Sequence, residues 1–142
     1  MMVEEVLKAK GRDIVTMPRN ASVAEAVGLL KEKRIGAVVI SDDGARVLGI
    51  LSERDIVHAL AEFAAAALEM RVSELMTQDV VTCGPEDSIV GLMARMTERR
   101  IRHLPVLKDG VLDGMVSIGD VVKGRIDEVE SEARAMRDFI TG

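Results

Sequence analysis

Residues 13–35 read DIVTMPRNASVAEAVGLLKEKRI, and 66 positions later residues 79–101 read DVVTCGPEDSIVGLMARMTERRI. A second matched pair follows, with GILSERDIV at residues 49–57 and GMVSIGDVV at residues 114–122. Similarity that holds its register through a helix and several strands indicates a duplicated unit rather than chance. The period is also too long for a solenoid repeat of ~20–50 residues. Each copy should therefore carry a version of the same site.

Composition narrows the class of protein. The chain has 142 residues, 48% hydrophobic and 30% charged, which is typical of one compact soluble domain. The net charge of −5 and the absence of Trp and Tyr argue against a nucleic-acid partner. No apolar run approaches a membrane span of ~18 residues, and the N-terminus lacks the pattern of a signal peptide. A single cysteine, Cys83, which we interpret as an apolar filler, fits a reducing cytoplasm.

Each copy reads strand–helix–strand–strand–helix. In the first copy, the spacing of Ser22 and Glu25 predicts a capping box, and the continuous apolar run of residues 35–40 predicts a buried strand. A helix should then begin near Glu53 and run towards Met70 through alanine-rich sequence.

The second copy repeats this order. Residues 80–83 should be extended, Ser88 should cap a helix, and residues 101–107 and 111–117 should pair through an Asp-Gly turn. The last helix should run from Ile118 to about residue 140 with an amphipathic pattern. The exposed face of its tail either packs on its own domain or forms a dimer contact.

The densest local signal is Gly-x-x-Ser-x-x-Asp at the junction of a strand and a helix, which occurs in both copies. Its members are Gly49, Ser52, Asp55, Gly114, Ser117 and Asp120. The pattern is itself a helix cap, in which serine accepts an early N–H and the carboxylate faces the helix dipole. A carboxylate just past a strand end also suits the two hydroxyls of a ribose. Both interpretations stay open on sequence alone.

Arg102 and His103 form the other candidate site, because they align with Gly36 and Ala37 of the first copy. A guanidinium beside an apolar strand matches the oxygens of a phosphate, although a solvent-facing strand edge explains the pair equally well. Glycine and alanine would let a flat heterocycle approach the backbone. The histidines and Cys83 lack metal-ligand spacing, and no nucleophile–base grouping or phosphate loop is present, so we expect neither a metal nor an enzyme.

The duplication, the two Gly-x-x-Ser-x-x-Asp motifs and the segment RIRHLPV at residues 100–106 resemble the tandem cystathionine-β-synthase-type (CBS) domain pair, or Bateman module. The resemblance covers about residues 3–129. It implies an α/β (α+β) fold of two β-α-β-β-α units, related by a pseudo-twofold axis and packed through their sheets. We expect unit one at residues 3–70, unit two at residues 71–129 and a helical extension at residues 130–142.

The resemblance also implies adenine-nucleotide sites in two clefts between the units. Ribose would be held by Asp120, Ser117, Asp55 and Ser52, and phosphate by Arg102 and His103. The adenine pocket would be formed by Val15, Thr16, Ile35, Gly36, Ala37, Val81, Thr82 and Ile101. We expect the tighter site at Asp120, grouped with Arg102 and His103, while the Asp55 cleft is weaker or borrows those two cations.

The repeats span nearly the whole sequence, so the leading hypothesis is a free-standing regulatory protein that senses AMP, ADP, ATP or NAD(H), with no cofactor required. It would act as a homodimer, or a higher even oligomer, on an unknown protein target. One alternative is a structural or interaction dimer with empty clefts. Another is a sensor of a ligand of the S-adenosylmethionine type.

Overall fold

The computed structural model describes residues 1–141, and the last residue of the expected extension, Gly142, lies outside the described part. Within these residues the chain forms six α-helices, one 3-10 helix and five strands. In chain order they are α1 (Val3–Lys10), β1 (Thr16–Met17), α2 (Val23–Lys33), β2 (Ala37–Ile40), β3 (Gly49–Ser52), α3 (Glu53–Phe63), the 3-10 helix (Ala64–Glu69), α4 (Val72–Leu75), α5 (Ile89–Arg99), β4 (His103–Lys108), β5 (Val111–Ser117) and α6 (Ile118–Thr141). The expected mixed α/β fold is confirmed.

The strands form one small sheet in each half. In unit one, β1 runs parallel to β2, and β2 is antiparallel to β3. In unit two, β4 and β5 form an antiparallel hairpin. The register repeats at the inner end of both hairpins, where Ala37 lies opposite Ser52 and His103 lies opposite Ser117. This shared register brings the start of each hairpin and the start of the following helix to the same place.

The duplicated sequence produces matching local structure. Ser22 and Ser88 cap α2 and α5 through their side-chain oxygens. Arg34 and Arg100, which are identical in the alignment, both adopt left-handed backbone, with φ of 55° and 54°, and end those helices. A residue in this conformation is a common helix terminator. The two arginines are therefore aligned because each one stops a helix.

The first helix of each unit packs into the other unit. Val3 and Leu7 of α1 are fully buried in the core of unit two, beside Ile89. Conversely, Val72 of α4 is fully buried in the core of unit one. In space, the two leading helices are thus exchanged and tie the halves of the molecule together.

Two local predictions were wrong. The helix that begins at Glu53 ends at Phe63, because Ala64 has φ of 52° and the alanine-rich segment continues as a 3-10 helix. Residues 80–83 do not form a strand, since a single bridge between Cys83 and Val106 is their only ladder contact within the described residues. Alanine favours helix but cannot prevent a break where packing requires one.

The last helix, α6, is continuous from Ile118 to Thr141. Its first turns pack on α5 and α1, whereas residues 129–141 are exposed on all sides. No helix among residues 1–141 is long and apolar enough to cross a membrane.

Candidate functional site

An open cleft of about 460 Å³ lies between the two units. This size falls in the ordinary range of small-molecule sites, which is about 300–1,000 Å³. We call it the Asp55 cleft, and it brings together residues from four loops and strand ends of both units. Its lining consists of Gly36, Ala37, Ile50, Ser52, Glu53, Arg54, Asp55, Thr77, Asp79, Val80, Val81, Arg100, Ile101, Arg102 and His103.

The wall of the cleft at the start of α3 is built by Ser52 and Asp55. The Ser52 hydroxyl accepts the Asp55 N–H at 3.3 Å, and the Asp55 Oδ2 atom accepts the Ser52 N–H at 2.9 Å. The predicted capping role is therefore confirmed. Every hydrogen bond that the Asp55 carboxylate accepts within residues 1–141 goes to Oδ2. The cap holds the half-buried carboxylate in place and leaves Oδ1 for a donor from the cleft.

A second part of the lining is formed where the start of β4 lies against the start of β2. A methyl group placed on Gly36 would lie 3.0 Å from the His103 Cε1 atom, so a larger residue there would require the imidazole ring to shift. His103 is half-buried, and this burial lowers the pKa of its imidazole below the ordinary value. His103 is therefore neutral near pH 7 and presents its ring to the cleft.

The cleft also contains arginine side chains. Arg102 is exposed, and its guanidinium makes no hydrogen bond or ion pair within residues 1–141. Arg54 differs, because its Nη1 atom donates to the Arg100 carbonyl at 3.0 Å. An unpaired guanidinium at the mouth of a cleft is suited to an anionic group such as a phosphate.

In the corresponding region of the second copy, the Asp120 carboxylate is paired with other groups of the protein. Ser117 and Asp120 repeat the cap, with Asp120 Oδ2 accepting the Ser117 N–H at 2.9 Å. The same oxygen accepts the Lys10 ammonium at 2.6 Å, and Lys10 also donates to the Met115 carbonyl at 2.8 Å. Burial raises the pKa of Asp120, but the hydrogen bonds from Lys10 and Ser117 outweigh it and hold this pKa below its ordinary value.

Arg102 and His103 line the cleft of Asp55 and Ser52, as the borrowing alternative allowed. Four predicted adenine-pocket residues join them there, namely Gly36, Ala37, Val81 and Ile101. His103 also lies opposite Ser117 in the hairpin, and the Asp120 carboxylate is among the charges that act on its pKa.

The other four predicted adenine-pocket residues lie outside the Asp55 cleft. Val15 and Ile35 pack against the core of unit one, and Thr16 pairs with Val39 in the sheet. Thr82 contributes its carbonyl to the Arg95 side chain at 2.9 Å. All four of these residues are half-buried.

Sequence reasoning missed several residues of the cleft, above all Thr77 and Asp79. The backbone of Thr77 pairs with that of Ile50 through two hydrogen bonds, of 3.0 and 2.9 Å, which carries the segment after α4 to the edge of β3. Asp79 then lies at the cleft wall. Its identity with Asp13 in the aligned repeats was the available signal for this position.

Two other reactive side chains, Cys83 and His58, lie outside the cleft. Cys83 is 6% exposed within the core of unit two, and burial raises the pKa of its thiol to about 12. A thiol in this state is not a nucleophile at neutral pH. His58 is an exposed residue of α3. Among residues 1–141, no cluster of three or more His, Cys, Asp or Glu side chains is placed to hold a metal ion.

Comparison with solved structures places this fold among known ones. A CBS-domain containing protein from Agrobacterium tumefaciens is 47% identical, with a TM-score of 0.85, over 88% of this chain and 99% of that chain. A CBS domain protein from Pyrobaculum aerophilum complexed with AMP is 28% identical, with a TM-score of 0.75, over 84% of this chain and 89% of the other. The CBS domain pair of protein MJ0100, in complex with 5-methylthioadenosine and S-adenosyl-L-methionine, is 25% identical, with a TM-score of 0.76, over 87% and 98%.

The family model for the CBS domain matches twice, over residues 3–62 and 72–127. Each match contains one copy of the duplicated sequence. The chain therefore belongs to the CBS domain family, with one repeat in each half.

Proposed function

We propose that this protein is a regulatory module that binds an adenine nucleotide in the Asp55 cleft. The observation that carries the proposal is the convergence of a capped carboxylate, an unpaired guanidinium and a small-residue strand start around one cavity of about 460 Å³. Asp55 would accept hydrogen bonds from the ribose hydroxyls through Oδ1. Arg102 and His103 would meet the phosphate.

The base would lie on the apolar part of the same cleft. Ile50, Val80, Val81 and Ile101 line it, and no Phe, Tyr or Trp side chain does. The purine would therefore be held by apolar contacts and backbone hydrogen bonds rather than by stacking on a Phe, Tyr or Trp ring. The relative from Pyrobaculum aerophilum that was crystallised with AMP supports this ligand class for the fold.

The same geometry favours one ligand per chain. In the Asp120 region the carboxylate is already paired with Lys10. A ribose there would have to displace an ammonium ion that neutralises a half-buried carboxylate, and this displacement costs binding free energy. The proposal thus reverses the order expected from the sequence and makes Asp55 the primary ligand.

Titration calorimetry with AMP, ADP, ATP, NADH and S-adenosylmethionine tests the proposal. We expect at least one adenine nucleotide to bind with about one molecule per chain, and to stabilise the fold by ~2.7 kcal/mol when free ligand is 100 times the dissociation constant. Absence of binding by all five compounds at millimolar concentration would overturn it.

A ligand of the S-adenosylmethionine class is the second candidate, because a relative of this fold was crystallised with S-adenosyl-L-methionine and 5-methylthioadenosine. The two classes differ in charge. A nucleotide brings a negative phosphate to Arg102, whereas a sulfonium compound brings a positive charge. The free guanidinium of Arg102 favours the phosphate.

A structural module with an empty cleft is the third candidate, since both Ser-x-x-Asp motifs do cap helices. In that case Asp55→Ala and Asp120→Ala would each lower the melting temperature and neither would change any ligand effect.

The proposal extends to how a signal would be transmitted. The ligand would bridge both units and favour one arrangement of the pair, and this preference would be read by a second copy of the chain or by a protein target. We propose that the protein acts in the cytoplasm, as a homodimer, and without catalysing a reaction.

A further inference from the structure

The outer surface of α6 carries an apolar stripe that no part of residues 1–141 covers. We call it the α6 stripe, and its members are Val122, Ile126, Val129, Ala133, Met136 and Ile140. The spacings alternate between four and three residues, which is the heptad pattern of a two-stranded coiled coil. Val122, Ile126 and Val129 are 40%, 52% and 46% exposed, and Met136 and Ile140 are 65% and 77% exposed.

The opposite face of the same helix is the one that the protein uses for its own core. Val121 is fully buried, and Gly124 is so close to α1 and α5 that an added methyl group would lie 3.2 Å from Ile89. Glu128 continues this inner face through ion pairs with Arg125 and the Met1 amino group. Packing within the chain therefore leaves the α6 stripe pointing away from the molecule.

The second half of α6 has nothing to pack against within residues 1–141. All of residues 129–141 are exposed, so about 20 Å of helix projects from the two units. Isolated helices of fewer than about 12–15 residues are marginal in water. A second helix packed along the unbroken apolar stripe would stabilise this projecting segment.

The charged residues on either side of the α6 stripe indicate that the second helix is α6 of another copy and that the two helices run parallel. In a parallel pair of identical helices, Glu132 of one copy faces Arg137 of the other, and Glu130 faces Arg125. Within residues 1–141, neither Glu132 nor Arg137 has another ion-pair partner. In an antiparallel pair over the full stripe, Glu132 would face Glu132 and Glu130 would face Glu130. If the two antiparallel helices are shifted along each other, opposite charges can face each other, but part of the α6 stripe then stays uncovered.

We propose that α6 is the self-association surface of this protein, and that two copies join through a parallel coiled coil along the α6 stripe. This inference rests on the proposed homodimer but is independent of the nucleotide. Both Asp55 clefts would then lie on the same side of one assembly, at the base of a shared helical stalk.

A matched pair of substitutions on α6 tests the surface. Ala133→Glu places a charge in the stripe, whereas Ala135→Glu places the same charge two residues away, and both positions are exposed. We expect multi-angle light scattering to give a dimer for the wild type and for Ala135→Glu. Burying an unpaired carboxylate in the seam should raise the dimer dissociation constant of Ala133→Glu at least ~100-fold. A monomeric wild type, or a dimer that Ala133→Glu leaves intact, would overturn the proposal.

Cysteine cross-linking tests the direction. In a parallel pair the two copies of residue 140 face each other, whereas in any antiparallel pair they lie far apart. Under mild oxidation Ile140→Cys should form a disulfide-linked dimer and Asp138→Cys, on the outer side of the helix, should not. Native Cys83 is buried and does not compete. Equal cross-linking of both variants, or of neither, would contradict the parallel arrangement.

Charge reversal provides a rescue. Glu132→Arg should weaken the dimer because two arginines then face each other, and the double variant Glu132→Arg with Arg137→Glu should restore it.

AMP titration of Ala133→Glu separates this proposal from the nucleotide proposal. Unchanged affinity with a lost dimer leaves both standing, and an absence of AMP binding in wild type and variant alike removes only the nucleotide proposal.

Discussion

The two halves of the molecule present the same carboxylate to two different surroundings. In unit one, the Ile50 carbonyl accepts the backbone N–H of Thr77, so the chain after α4 continues the edge of β3. In unit two, the aligned Met115 carbonyl accepts the ammonium of Lys10 instead, and that ammonium also pairs with Asp120. A backbone hydrogen bond at Ile50 is thus replaced at Met115 by a side-chain hydrogen bond from Lys10, which leaves Asp55 without an ion-pair partner within residues 1–141 and gives Asp120 one.

This difference shows how a duplicated fold can divide its roles. The helix caps hold both carboxylates in matching positions. The backbone N–H groups of Ser52 and Ser117 donate to the Oδ2 atoms of Asp55 and Asp120, each over 2.9 Å. We infer that availability to a ligand is decided elsewhere, by Lys10 at the end of α1 and by the segment after α4. The comparison predicts four effects of decreasing size.

The largest effect is expected at the two carboxylates. Asp55→Asn should weaken AMP binding about 100-fold, because hydrogen bonds to a charged group contribute about 1.5–3 kcal/mol each. Asp120→Asn is the matched control and should leave AMP affinity within about threefold, since its partner is Lys10 rather than a ligand. Isothermal titration calorimetry measures both. Equal losses, or a larger loss at Asp120, would show that the two clefts are ranked in the wrong order.

The next effect should appear when the Asp120 carboxylate loses its ion-pair partner, Lys10. Lys10→Met removes the ammonium from Asp120 and should raise the number of AMP molecules bound from about one to about two per chain, with the second about tenfold weaker because it lacks Arg102. Lys8→Met, on the same helix but away from Asp120, serves as the control. If Lys10→Met retains one site, Lys10 is not what closes the Asp120 region.

A smaller effect is expected at Arg102. Arg102→Met should weaken AMP binding about tenfold through the loss of a charged contact to phosphate. Adenosine, which has no phosphate, should bind the variant and the wild type with similar affinity. Arg99→Met provides a control for net charge. An equal loss for AMP and adenosine would place Arg102 at the base or sugar instead.

The smallest effect concerns pH. Burial lowers the pKa of His103, so the ring is neutral in the free protein near pH 7.5. A phosphate beside the ring favours the charged form, so binding takes up a proton and affinity should rise as pH falls, by about threefold between pH 8 and 6.5. His103→Gln should lose this dependence, although the phosphate titrates equally in both proteins. An unchanged pH profile in His103→Gln would exclude His103 as the source.

Periodicity and duplication predicted most of the fold. The sequence predicted the helix caps at Ser22 and Ser88 and the Asp-Gly turn at residues 109–110, because these features depend only on neighbouring residues. The break at Ala64 was missed because helix propensity is a weak guide where packing dictates backbone conformation.

The candidate site was predicted less completely than the fold. The residue types were recognised, but the assignment of Arg102 and His103 to one cleft depends on how two units face each other, which no local pattern encodes. Lys10 was overlooked for the same reason, since 110 residues separate it from Asp120. The repeat contained one unused clue, the identity of Asp79 with Asp13.

A crystal structure of the full chain with AMP at saturating concentration tests the central claim most directly. The account predicts AMP in the Asp55 cleft, its ribose hydroxyls within hydrogen-bonding distance of Asp55 and its phosphate at Arg102, while Lys10 stays on Asp120. AMP seated at Asp120 with Lys10 displaced, or an Asp55 cleft without AMP, would contradict it.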